Sequence, residues 1–170
     1  VRFPEDTVRP MGRTATGVRA IKLDEDGKDC VVGMICVEKG SKDTVLVISD
    51  KGYGKRTMLD DETGEPIYRI TNRGGKGVKT MNITDKTGNL IGMEAVNDEQ
   101  DLMLITKSGT AIRMPMTSIS ILGRATQGVK LIELQKRNDT LMFGCTVPKE
   151  EVEEQTLDEV TNQENTTTEE

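Results

Sequence analysis

The sequence contains no histidine, and with it go the imidazole proton relays and nucleophile–base triads on which most hydrolytic chemistry depends. It also contains no tryptophan, and its only aromatics are Phe3, Phe143, Tyr53 and Tyr68. A large aromatic core is therefore excluded, and Val, Ile, Leu and Met must supply the packing. So few rings also argue against a reader of single strands or RNA, which stacks bases on aromatic side chains. The three cysteines, Cys30, Cys36 and Cys145, form no CxxC pair, which removes the usual zinc arrangements. Their odd count and their place in apolar runs predict reduced thiols in the core of a cytosolic protein. Apolar runs reach roughly seven residues, well short of the ~20 needed to span a bilayer. No basic-then-apolar leader opens the chain. It does not begin with Met, and the expectation is a part of a longer protein.

A balance of charge is missing too. The formal net charge is -6, yet the region from 150 to 170 holds nine acidic residues and no Lys or Arg. Setting those nine aside leaves 20 acidic against 23 basic residues, so residues 1–149 carry +3. The body is mildly basic and the acidity belongs to a tail. That tail, rich in Glu, Thr and Asn, is expected to be disordered.

What the chain does have is an internal repeat. MGRTATGVRAIKL, ending at Leu23, matches LGRATQGVKLIEL, ending at Leu134. The pairs Gly12/Gly123, Arg13/Arg124, Gly17/Gly128, Val18/Val129 and Ile21/Ile132 share one separation without a gap. Arg2/Arg113, Pro4/Pro115 and Gly33/Gly144 share it as well. A third copy, NRGGKGVKTMNI, lies between them and ends at Ile83. VVGMICV, LIGMEAV and MFGCTV follow the three copies in turn. A second series, TVLVISDKGYGKR and DLMLITKSGTAIR, pairs Gly52 with Gly109 and Arg56 with Arg113.

The repeat unit of about 50 to 60 residues reads as short strands, with VLVIS (45–49), LMLIT (102–106), VRAIKL (18–23) and VKTMNI (78–83) bounded by glycine turns. Four strands per unit predict a propeller blade. The expectation is an all-β chain of about two and two-thirds blades over residues 1–148, with a tail over 149–170. The first unit lacks its opening strand, because VRFPE aligns with IRMPM at 112–116.

The cationic residues recur with the unit. Arg13 and Arg19 stand in the first copy, Arg73, Lys76 and Lys79 in the second, and Arg124 and Lys130 in the third. A second group, Lys51, Lys55 and Arg56, recurs in part as Lys107 and Arg113. Blades around an axis would set equivalent loops along one rim, and a curved basic stripe suits the phosphates of bent duplex DNA. In Arg73–Lys79, Gly74, Gly75 and Gly77 remove the Cβ atoms that would hold the backbone away from such a surface. They also permit N–H groups to converge on an anion. A plain glycine turn with solvated charges is the alternative.

Other constellations are empty. Gly77 follows Lys76 where a P-loop needs Ser or Thr. Asp60, Asp61 and Glu62 lack calcium-loop spacing and read as a solvated turn. Tyr53 reads as a rim or packing residue, and the methionines as core filler.

VRPMGRTATGVRAIKL, GYGKRT, TNRGGKGVK and ISILGRATQGVKLIEL resemble the later blades of the C-terminal domain of bacterial gyrase A proteins, a six-bladed β-pinwheel. The resemblance covers residues 1–148. It implies sequence-independent wrapping of double-stranded DNA on the basic rim. The implied holoenzyme is an ATP-dependent topoisomerase that introduces negative supercoils in the cytoplasm. It would pair two A with two B subunits, with ATP and Mg bound on other domains or subunits. The catalytic tyrosine of that family lies in an N-terminal core outside this sequence, so no catalytic residue and no cofactor is expected here. The family's wrapping box, Gln-Arg-Arg-Gly-Gly-Lys-Gly, matches Arg73 to Gly77, with Thr71 and Asn72 in place of its first two residues. This copy reads as an echo of the box in a penultimate blade. The corresponding domain of topoisomerase IV, which decatenates, and a protein-binding propeller adaptor are the alternatives.

Overall fold

A computed structural model describes residues 1–134 and 138–149, so the acidic tail from 150 lies outside the described residues. Among the described residues the regular structure is seven strands, β1 (Thr44–Ser49), β2 (Tyr53–Met58), β3 (Leu90–Val96), β4 (Gln100–Thr106), β5 (Ala111–Pro115), β6 (Val129–Lys130) and β7 (Leu141–Pro148), with single 3-10 turns at Glu5–Thr7 and Met116–Ser118. They form two antiparallel sheets, one four-stranded in the order β3-β1-β2-β6 and one three-stranded in the order β5-β4-β7. The all-β propeller reading holds.

β1 is buried along its whole length because both of its faces are covered. Leu46 and Ile48 point into a core shared with Leu102 and Leu104 of the second sheet, together with Val96, Met116, Ile119, Leu134 and Leu141. Val45 and Val47 point the other way, against Tyr53 and Met81. Side-chain alternation along a strand thus splits one apolar run between two cores. The first is the seam between the sheets, and each fully buried aliphatic side chain there contributes roughly 1.5–3 kcal/mol.

β3 and β7 each pair with the first strand of a hairpin that stands before them in sequence, β1 and β4 respectively. VVGMICV is the counterpart of β3 and β7 in the repeat, but it forms no ladder among the described residues. Val31 is 61% exposed and Met34 79%. The expectation of core cysteines is corrected here: Cys30 and Cys36 are exposed, Cys145, within β7, is half-buried, and all three are free. The methionines divide as well, with Met81 and Met116 buried and Met34 and Met142 on the surface. VRAIKL and VKTMNI also form no ladder, and the bridge Ile21↔Gly75 joins the first copy to the second.

Gly52 and Gly109 close the two equivalent hairpins at φ 78 and 87. A Cβ on Gly52 would meet the Ile132 carbonyl at 2.7 Å, whereas nothing lies within 4 Å of one on Gly109. Gly109→Ala is expected to cost only the left-handed backbone penalty, about 1–2 kcal/mol. Gly52→Ala should cost that and about 1–3 kcal/mol more for the overlap. Urea melts of the two variants check this, and equal losses would contradict it.

Candidate nucleic-acid interface

Three copies of one turn organise the cations. Gly17, Gly77 and Gly128 occupy the same place in the repeat, and all three adopt positive φ (85, 76 and 81). Gly128 is also pressed by its neighbour, since a Cβ there would lie 2.8 Å from the Gly54 carbonyl oxygen. The copies therefore share a backbone shape that only glycine adopts without strain.

They also lie side by side in one register. Lys22 N–H donates to the Gly75 carbonyl at 2.9 Å, and Asn82 N–H, the next equivalent donor, donates to the Thr126 carbonyl at 2.9 Å. Arg73 Nη1 donates to the Arg19 carbonyl at 3.3 Å, and Arg124 Nη1 to the Lys79 carbonyl at 2.6 Å. Arg73 is the repeat equivalent of Arg124, and Arg19 of Lys79, so one seam is built twice. Gly74 N–H donates across the first seam to the Ala20 carbonyl at 2.7 Å. Gly74 and Gly75 thus bring the second copy against the first.

Arg13, Arg19, Arg73, Lys79 and Lys130 are exposed and Arg124 is half-buried. None of Arg13, Arg19, Arg73, Lys79 or Arg124 forms an ion pair with a described residue. Lys130 pairs with Glu133 at 2.7 Å, and that hydrogen bond raises its pKa. Lys76 crosses the first seam to Asp24 at 3.1 Å with both groups exposed, a contact of small energetic value. Lys51 is exposed and donates to the Asp85 carbonyl. Beside it, Lys86 lies 5.9 Å from the centroid of the Tyr53 ring, and Lys130 pairs with Tyr53 in the β2–β6 ladder. Tyr53 itself is buried, as a packing residue. Lys107 is exposed at the turn of the second sheet.

Three members of the second basic group, Lys55, Arg56 and Arg113, are engaged within the fold. Lys55 is 0% exposed, and its ammonium donates to the Gly123 and Arg124 carbonyls at 2.6 and 2.5 Å. Arg56 is 5% exposed, donating to the Ile119 carbonyl at 3.0 Å and pairing with Asp98 at 2.5 Å. Arg113 bonds Asp101 at 2.8 Å and the Pro148 carbonyl at 2.7 Å. These three side chains hold the fold. The sequence reading missed their equivalent Arg2, which pairs with Asp60 at 2.6 Å and donates to the Tyr68 carbonyl at 3.2 Å. The matching of Arg2 with Arg113 already pointed to a shared role. The repeat extends to the backbone: Thr71 N–H donates to the Arg2 carbonyl at 2.9 Å and Leu122 N–H to the Arg56 carbonyl at 2.8 Å.

The acidic loop is a turn closed on itself. The Asp61 carboxylate accepts from Thr63 Oγ1 at 2.7 Å and from the Thr63 and Glu65 N–H groups at 2.9 Å each, and these bonds lower its pKa. Among the described residues, no three His, Cys, Asp or Glu side chains gather as a metal group, and no helix is long and apolar enough to cross a membrane.

Burial, reinforced by repulsion from Arg124, lowers the Lys55 pKa from 10.5 to about 8. The unfolded chain therefore holds this proton more tightly, and the Lys55 contribution to stability rises with pH between about 8 and 10.5. The unfolding free energy of the native protein relative to Lys55→Met should be flat below pH 8 and climb above it. A difference independent of pH would contradict the burial of a charged Lys55.

Comparison with known proteins agrees with this architecture. The profile of the family described as "DNA gyrase C-terminal domain, beta-propeller" matches residues 1–38, 43–61, 68–97 and 100–143. The DNA gyrase A protein of Staphylococcus aureus (strain MRSA252) is 46% identical over 159 residues, covering 94% of this chain and 17% of that protein. Its counterpart from strain NCTC 8325 / PS 47 is 46% identical over 156 residues, with 92% and 16% covered. The chain thus spans about a sixth of the length of these curated relatives. The solved structure of a DNA gyrase A C-terminal domain superposes with a TM-score of 0.65 at 25% identity, covering 85% of this chain and 45% of that one. The C-terminal domain of DNA topoisomerase IV gives 0.72 at 20% identity, over 86% and 42%, a likeness of fold alone. The chain belongs to the DNA gyrase C-terminal domain family of β-propellers.

Proposed function

We propose that this chain binds and wraps duplex DNA along the row formed by Arg13, Arg19, Arg73, Lys79, Arg124 and Lys130. The observation that carries the reading is the seam built twice in one register, which gives equivalent cations equivalent places along successive repeats. Such a row meets phosphates without reading bases, and its repetition suits a backbone that bends past it. Lys51, Lys76 and Lys107, also exposed, extend the positive surface. Gly74, Gly75 and Gly77 set the height of the second turn against its neighbour.

In this reading residues 1–148 are the binding unit, and 149–170 form a tail whose charge opposes it. The parent protein is the gyrase A protein. It works in the cytoplasm with its own N-terminal core and with gyrase B, two copies of each, and performs ATP-dependent negative supercoiling. ATP and Mg belong to those other parts, and this chain uses no cofactor. The 46% identity to gyrase A proteins favours this over decatenation by a topoisomerase IV.

Binding of linear duplex should be independent of sequence, with an affinity that falls steeply as salt rises. Replacing Arg13, Arg19 and Lys79 together by Ala should flatten the log–log slope by about three units. Lys55→Met should leave the slope unchanged. An unaltered slope in the triple variant would remove the row from the contact surface. Deleting 150–170 should tighten binding at low salt, and weaker binding would exclude competition by the tail.

A further inference from the structure

We infer that Arg73 and Arg124 are positioning residues that use one guanidinium both to set the angle between successive repeats and to hold a phosphate. Bound DNA and the geometry of the repeat row are thereby coupled. This rests on the DNA-binding reading above, and adds to it a reason for arginine at one particular position.

The reason can be read within this single chain. The position of Arg73 is arginine in all three copies: Arg13, Arg73 and Arg124. The position of Lys79 is indifferent to the type of cation: Arg19, Lys79 and Lys130. A site that needs only positive charge accepts either side chain, whereas a site that needs a rigid, many-donor fork accepts only arginine. The structure supplies that second demand. Nη1 of Arg73 and of Arg124 each crosses to the carbonyl of the preceding copy, and Arg73 Nε also donates to the Thr7 carbonyl at 3.2 Å. Five N–H donors in one plane leave others for an outside acceptor, in a direction fixed by the bonds already made.

The acceptor in each seam is the carbonyl of the neighbouring cation itself, Arg19 or Lys79. Each seam therefore ties the guanidinium of one cationic residue to the backbone of another. At the second seam the buried Lys55 ammonium donates to the Arg124 carbonyl and its charge opposes the Arg124 guanidinium. Like charges at a joint favour opening it, and a phosphate placed between them reverses the sign. DNA should then tighten the joints it touches, which gives the row a defined curvature only when loaded. By linkage, a joint held in the right geometry binds the bent duplex better.

The test compares the full-length protein with two variants, Arg73→Lys/Arg124→Lys and, as a control at an exposed arginine outside the row, Arg69→Lys. Two readouts are taken: the salt slope of linear duplex binding, and DNA bending measured by end-to-end energy transfer on the same duplex. We expect the double variant to keep its slope within about one unit and to lose most of the bending, with Arg69→Lys normal in both. Full bending in the double variant, or a slope that falls together with the bending, would overturn the proposal. In the first outcome lysine suffices, and in the second the arginines act by phosphate contact alone. A salt-insensitive native protein would instead refute the DNA-binding reading itself.

Hydrogen exchange on the native protein gives a measure that needs no variant. The seam amides of Lys22 and Asn82 should exchange about tenfold more slowly with DNA bound. The hairpin amides of β1 and β2 should change little. Equal effects on both sets, or none on the seam, would also overturn the coupling.

Discussion

Everything in this structure follows from how one repeat meets the next. A propeller blade is a small sheet with two apolar faces, and neither can be left in water. Here the seam between sheets buries Leu46, Ile48, Leu102 and Leu104, and a parallel row of turns is fastened by backbone and guanidinium bonds. Because the seam recurs in one register, whatever a repeat presents outward is presented again by its neighbour. A cation that would be a trivial surface charge in a single repeat becomes part of a row.

The same constraint explains why two sets of basic residues in one repeat have opposite fates. Arg56 and Arg113 lie within β2 and β5 and Arg2 stands in the equivalent place, and each guanidinium bonds a carboxylate and a carbonyl of a later segment. Arg73 and Arg124 stand at turns that bond the preceding copy through one guanidinium nitrogen, and Arg13, at the same place in the repeat, is exposed. Lysine follows the division: Lys55 is enclosed and loses proton affinity, while Lys79 stays in solvent.

Much of this was legible in the sequence. VLVIS and LMLIT became β1 and β4, and the glycines of the DEDG, DKG, KTG and KSG turns all adopt positive φ, because these signals are local. The family could be read from the recurring GRTATGV-type phrases. What resisted reading was non-local. Nothing in YGKRTM says that the strand lies in the middle of a four-stranded sheet, so Lys55 and Arg56 look as available as Lys51. VVGMICV has the composition of a core strand, but it forms no ladder among the described residues, and its Cys36 is exposed. VRAIKL and VKTMNI carry β-branched residues yet form no ladder and touch the next copy through a few isolated bonds. Composition sets what a segment can do, and the partners present decide what it does.

The central claim is that equivalent arginines on successive repeats meet one continuous duplex. Photo-cross-linkers placed singly at positions 13, 73 and 124 test it most directly on a duplex held in one orientation. The account predicts that all three sites attach to that duplex, at positions stepping in one direction along it in the order 13, 73, 124. Attachment from only one of the three, or contacts scattered without order, would contradict it.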